Sequence, residues 1–61
     1  MKIIRVDNYN RDFVPDKLIA SDVEKYYGKI IVDRLNKIEG ETTPYFFRLV
    51  KDDYKLYKFL P

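Results

Sequence analysis

Catalytic chemistry in this 61-residue chain would have to come from Asp, Glu, Lys, Arg, Tyr or hydroxyl side chains, because the sequence contains no His and no Cys. Their absence excludes a Cys/His nucleophile system, disulfide bonds and the common zinc sites. The one serine, Ser21, stands three residues before Glu24, which is the spacing of a helix capping box. No Gly-rich phosphate loop is present. We therefore expect no enzyme activity, no cofactor, no metal and no small-molecule substrate.

The run Asp7-Asn8-Tyr9-Asn10-Arg11-Asp12 has the oxygen-rich composition of a calcium loop without its spacing. In an EF-hand frame that starts at Asp7, Tyr9 and Arg11 occupy the third and fifth positions, where oxygen ligands are required. Asn and Asp side chains in such a run hydrogen-bond nearby backbone groups and favour turns. The run therefore predicts a turn in which Arg11 forms a local ion pair with a flanking Asp.

A second group of side chains lies in two β-rich runs, 45–50 and 54–59, separated by Lys51-Asp52-Asp53. This pattern predicts a C-terminal β-hairpin. Side chains alternate between the faces of a sheet, and loops of different length shift the register. With a three-residue loop, one face carries Tyr45, Phe47, Leu49, Tyr57 and Phe59. The other face carries Val50 and the expected binding residues Phe46, Arg48, Tyr54, Leu56 and Lys58.

One helix covers only one face of a small sheet, so this second hairpin face is expected to be exposed. Tyr, Phe and Arg are typical of protein interfaces, which favours a second copy of the chain or another protein as the partner. Aromatic rings with Lys and Arg also suit single-stranded nucleic acid. The net charge is only +2, however, and a basic footprint is therefore weak. We expect a small interaction module, most simply a homodimer through the hairpin face or edge, with nucleic-acid binding as the alternative.

The elements that must position these residues predict a single α+β domain spanning residues 1–61. Lys2–Val6 is β-rich, which predicts a first strand, and residues 17–20 fit either a short strand or an early helical turn, with the extended form favoured. The capping box at Ser21 and the apolar spacing that follows predict a helix over about 22–39, with Gly40 as its C′ residue. The order is β-(β)-α-β-β, with one amphipathic helix packed on a small, mostly antiparallel sheet.

The predicted helix carries one residue that breaks its apolar pattern. Arg34 falls inside a stripe that is expected to face the core. It could bind an anion or carboxylate, form an ion pair across a dimer interface, or extend its head to solvent from an apolar stem. The last of these is favoured because long basic side chains commonly cover apolar surface. The stripe consists of Val23, Tyr26, Tyr27, Ile30, Ile31, Leu35 and Ile38.

The overall composition indicates a folded but marginally stable protein. Hydrophobic residues make up 46% and aromatic residues 16% of the chain, which argues against disorder. A chain of this size buries only about 60% of its unfolded surface. No long apolar run predicts a membrane span, so a cytoplasmic location is expected. Abundant Lys, Ile, Tyr, Asp and Asn suggest a bacterial or phage origin.

Overall fold

The computed structural model describes residues 1–39 and 43–60 and has one helix and three strands. The strands form an antiparallel sheet of order β2-β1-β3, with the N-terminal strand in the centre. These findings confirm the α+β class and the helix on an antiparallel sheet. The expected C′ residue of the helix, Gly40, lies outside the described residues. The elements are β1 (Lys2–Asp7), β2 (Lys17–Ala20), α1 (Lys25–Glu39) and β3 (Tyr45–Val50).

The central strand β1 supplies most of the core. Ile3 and Ile4 are 1% and 0% exposed, and they point to opposite faces because side chains alternate along a strand. β1 pairs with β3 along its whole length, from Lys2 opposite Val50 to Asp7 opposite Tyr45. Both faces of β1 are therefore covered by other parts of the chain, which its apolar residues Ile3, Ile4 and Val6 favour.

The helix begins later than the sequence predicts, and the capping box at Ser21 is wrong. Asp22 has a left-handed backbone (φ 56°), and the Val23 N–H donates to the Met1 carbonyl at 2.8 Å. Strand-like pairing thus continues to Val23. The first helical bond runs from the Gly28 N–H to the Glu24 carbonyl at 2.7 Å, so Glu24 takes the N-cap position instead.

The helix also packs through a different side from the one predicted. It approaches β3 closely at Gly28, where an added Cβ would lie 2.6 Å from Leu49 Cδ1. Val32 and Leu35, which share this side, are partly buried. At about 100° per residue, the packed side is centred roughly 120° from Tyr27 and its apolar neighbours. The missing side chain of Gly28 allows this close approach, which an apolar pattern alone does not indicate.

The C-terminal segment, residues 54–60, is not a strand, so the predicted hairpin is wrong in its second half. The turn at 51–53 is present, and the Tyr54 N–H donates to the Lys51 carbonyl at 3.0 Å. Beyond the turn, the chain crosses the sheet face opposite Leu49 without joining the ladder. There Tyr54 and Leu56 pack with Phe46 on a core cluster of Ile4, Val6 and Val50.

The outer edge of β3 explains why no hairpin forms. β1 occupies one edge of β3. On the other edge, the Asn36 carboxamide of α1 accepts from the Phe47 N–H at 2.8 Å and donates to its carbonyl at 3.1 Å. The Thr43 hydroxyl donates to the Tyr45 carbonyl at 3.1 Å on the same strand. Side chains thus take backbone groups that a fourth strand would need.

We predict that Asn36→Ala lowers the free energy of unfolding by about 2 kcal/mol, because it leaves two partly buried backbone groups unpaired. Asn36→Asp keeps an acceptor for the Phe47 N–H but places a carboxylate oxygen against the Phe47 carbonyl oxygen. Because two acceptors then face each other, this variant should also be less stable than the original chain. Urea unfolding followed by circular dichroism measures both. Stability equal to that of the original chain in both variants would contradict this role of Asn36.

Candidate protein-interaction surface

One side of α1, which we call the exposed helix face, carries five exposed large hydrophobic residues. Its members are 43% to 78% exposed, whereas the opposite side of the helix contacts β3. Two neighbouring rings on it, Tyr26 and Tyr27, meet edge to face with centroids 5.1 Å apart. The exposed helix face consists of Tyr26, Tyr27, Ile30, Ile31 and Ile38.

Arg34 lies in the middle of the exposed helix face and is itself exposed. The expectation that its stripe faces the core is therefore wrong, since the helix is turned away from that orientation. Arg34 does not need to extend out of a core, and no ion pair involves it within residues 1–39 and 43–60. The neighbouring Asp33 pairs with Lys37 at 3.1 Å on the exposed surface. Arg34 is thus an exposed cation with Ile30, Ile31 and Ile38 among its neighbours one helical turn away.

The balance between buried and exposed apolar groups is unusual for a folded chain. The described core contains five buried hydrophobic residues, whereas twelve large hydrophobic residues are exposed. The accessible surface is 4874 Å², whereas scaling from the mass gives about 4,200 Å² for a monomer of this size. Exposed apolar patches of several hundred Å² commonly mark interaction sites. The accessible surface of this chain exceeds the scaled value by about 700 Å², which is the size of such a patch.

The hairpin face that the sequence predicts as the binding surface is covered instead by the chain itself. Phe46, Tyr54 and Leu56 share one side of the sheet as predicted, but all three are partly buried on the core cluster. Arg48 and Lys58 are exposed, and the Arg48 guanidinium lies 5.8 Å from the centre of the Tyr54 ring. The structure thus brings these three apolar residues and Arg48 together, whereas Arg34 lies on a separate element.

Asp16 holds the C-terminal segment in place. Its carboxylate oxygen Oδ2 accepts from the Tyr57 N–H at 2.8 Å and from the Tyr54 hydroxyl at 3.2 Å. Its backbone N–H donates to the Tyr57 carbonyl at 2.9 Å. The Tyr57 hydroxyl also donates to the Asp12 carbonyl. These bonds join the segment to the loop between β1 and β2.

An open cleft of about 620 Å³ lies between this loop and the C-terminal segment. Its volume is in the range of small-molecule sites, although the sequence suggests no such site. Arg48, Asp12 and Tyr57 line it, together with an Asp7–Arg11 pair whose charges offset each other. The hydrogen-bonded Tyr54 hydroxyl and Asp16 carboxylate, 3.2 Å apart, also line it. The expectation that the chain is not an enzyme stays a prediction.

The predicted turn and local ion pair at 7–12 are confirmed. The Arg11 side chain donates to both Asp7 oxygens, with Nη2 2.6 Å from Oδ1 and Nε 3.1 Å from Oδ2. The Arg11 N–H adds a bond of 2.6 Å to Oδ2, and Asn10 turns the chain with a left-handed φ of 54°. The guanidinium beside Asp7 lowers the pKa of that carboxyl to about 2 and raises the pKa of Arg11.

This pair predicts a component of acid unfolding. A carboxyl whose pKa is lowered by folding stabilises the protein above its unfolded pKa, near 3.8, and that contribution is lost as pH falls towards about 2. Urea midpoints measured at pH 5, 3 and 2 should therefore fall less steeply in Asp7→Asn than in the original chain. Equal pH dependence in the two proteins would contradict the assignment.

Comparison with protein-family models, curated proteins and solved structures finds no match to this chain. Within residues 1–39 and 43–60, no His, Cys, Asp and Glu residues cluster in a way that could hold a metal ion. In the same part of the chain, no helix has the length and apolar character needed to cross a membrane. The assignment of the candidate site is therefore based only on the geometry and chemistry of the surface.

Sequence reasoning missed Asn36 and Gly28, the two residues that orient the helix. Asn36 lies outside the apolar stripe that predicts the helix, so the stripe does not indicate its bonds to the Phe47 backbone. A glycine inside a helical pattern costs about 1 kcal/mol relative to Ala, and it often has a packing reason. Gly28 was therefore the available signal, because it shares one side of the helix with Val32 and Leu35.

Proposed function

We propose that this chain is a small protein-interaction module that binds its partner through the exposed helix face. The observation that carries the proposal is the orientation of α1, which packs through Gly28 and leaves its most apolar side outside. Tyr, Ile and Arg together provide an apolar contact area with a central charge, and Tyr and Arg are enriched at energetically important interface positions.

The proposal moves the binding surface from the hairpin face to the helix. Phe46, Tyr54 and Leu56 stabilise the fold by covering the core cluster, so they are less available to a partner. Arg34 remains a binding residue, now at the centre of the surface. The proposal keeps the expected cytoplasmic location and bacterial or phage origin; the support for the origin is the compositional bias towards Lys, Ile and Asn.

Nucleic-acid binding has less support than protein binding. Its basic groups would be Arg48 and Lys58, which are exposed. Its stacking platform would be Phe46 and Tyr54, whose rings are partly buried against the chain's own core. Bases stack on open ring faces. A single-strand oligonucleotide that bound with steep salt dependence would favour this alternative.

Site-specific photo-crosslinking tests the proposed surface in the cells that make the protein. A photoreactive residue at Ile30 should give protein adducts, including adducts with the chain itself, because this position lies in the exposed helix face. The same group at Lys29, exposed on another side of the helix, is the matched control. Equal yields at the two positions, or no adducts at either, would contradict the proposal.

A further inference from the structure

We propose, on the basis of the proposed function, that the partner of the exposed helix face is a second copy of this chain. The two helices lie antiparallel, with Glu24 of each copy opposite Arg34 of the other. Tyr27 and Ile31 fill the layers between these two ion pairs.

The spacing of five residues on α1 and its N-cap is that of a coiled-coil seam. Glu24, Tyr27, Ile31, Arg34 and Ile38 follow one another at alternating steps of three and four residues. Helices with such a seam pack side by side at a small crossing angle. All five residues are exposed, and their positions fall within about 80° of one another around the helix axis.

The two charges on the seam select the antiparallel orientation. In a parallel pair, Arg34 would meet Arg34 and Glu24 would meet Glu24, and like charges in contact oppose association. In an antiparallel pair with its twofold axis level with residue 29, each Glu24 lies level with Arg34 of the second copy. The same axis places each Tyr27 against Ile31, so the charged layers flank an apolar centre.

The charges needed for this pairing are available. Neither Glu24 nor Arg34 forms an ion pair within residues 1–39 and 43–60. A charge at a single seam position fixes the register of paired helices. Self-pairing thus explains a cation inside an apolar surface, whereas a featureless apolar partner would leave Arg34 without a counter-charge.

The area at this seam is that of a weak dimer. Tyr27, Ile30 and Ile31 are 58%, 46% and 43% exposed, and they lie level with the helix of the second copy. Tyr26 lies about 120° around the helix from the seam, and Ile38 lies beyond the end of the paired helix, so neither adds to the contact. The interface is therefore smaller than about 1,200 Å², the range of weak and transient associations, and the dimer should form only as the concentration rises.

A charge-swap series measured by sedimentation velocity across dilution tests the pairing. The 61-residue chain should shift from 7.4 kDa towards twice that mass as its concentration rises. Arg34→Glu and Glu24→Arg should each weaken association at least tenfold, because each places like charges together at two symmetric positions. The double variant should recover to within about threefold of the original chain, since both pairs are restored in reverse. Circular dichroism on dilute samples checks that every variant keeps its helix.

A further variant distinguishes an error in the proposed antiparallel pairing from an error in the proposed binding surface. Ile31→Lys removes the central apolar layer, and it should abolish self-association whatever the register. Loss of association in Ile31→Lys, with no effect of the charge variants, would overturn the antiparallel pairing and leave the proposed surface standing. A chain that stays monomeric at millimolar concentration would overturn the second copy as partner, whereas adducts with another protein at Ile30 would still support the proposed function.

Discussion

Ile4→Ala should lower the free energy of unfolding by about 3 kcal/mol, whereas the same change at Ile30 should alter it by less than about 0.5 kcal/mol. Ile4 is 0% exposed at the centre of the sheet, and shortening it leaves a cavity. Ile30 is 46% exposed on the exposed helix face, and Ala has the higher helix propensity. The apolar pattern of the helix predicts the opposite for Ile30, since it places this residue in the core.

Urea unfolding at a concentration where the chain is monomeric measures both values. The loss at Ile4 is a large part of the roughly 3–9 kcal/mol expected for a domain of this length. A substantial loss of monomer stability in Ile30→Ala would mean that the helix packs through its apolar side. That result would remove the basis for the proposed surface.

Leu56→Asp should also destabilise the fold by about 3 kcal/mol, because it places a carboxylate on the core cluster and removes apolar burial. Leu60→Asp is the matched control in the same C-terminal segment. Leu60 is 84% exposed, so the same substitution there should have an effect within about 0.5 kcal/mol. A larger loss of stability for Leu56→Asp than for Leu60→Asp would show that Leu56 covers Ile4, Val6 and Val50.

Thermal unfolding of the two variants and the original chain at equal concentration tests whether residues 54–60 dock on the sheet. Melting temperatures equal to that of the original chain in both variants would contradict the docking of residues 54–60 on the sheet. Equal destabilisation of both would mean that the segment packs along its whole length. A lower melting temperature for Leu56→Asp alone supports the contacts described for Tyr54, Leu56 and Asp16.

Much of the fold was predictable because local patterns determine it. β1, β2, α1 and β3 all lie near the positions indicated by β-rich runs and helical spacing. The side-by-side placement of Phe46, Val50, Tyr54 and Leu56 was also predicted, because strand alternation and a turn at 51–53 are local features.

The errors arose where long-range pairing overrides local pattern. Val23 pairs with Met1, a contact across 22 residues, and this delays the start of the helix beyond Ser21. The outer edge of β3 is taken by Asn36, so the aromatic run that follows the turn has no strand to join. Neither contact leaves a signal in the spacing of apolar residues.

The candidate site was only partly predictable for the same reason. Arg34 was correctly identified as a break in the apolar pattern, but the pattern itself was assigned to the core. The orientation of α1 depends on a close approach between Gly28 and Leu49, which involves the absence of a side chain. Hydrophobic periodicity measures where apolar side chains lie and cannot show which side of a helix the rest of the fold will accept.

The orientation of α1 is the central claim, and proton nuclear Overhauser contacts in a dilute, methyl-labelled sample test it most directly. We predict contacts between the Gly28 α protons and the Leu49 methyl groups. The Ile30 methyl groups should show no contact with β3. Contacts from Ile30 or Tyr27 to Phe47 or Leu49 would contradict the account, because they would place the exposed helix face in the core.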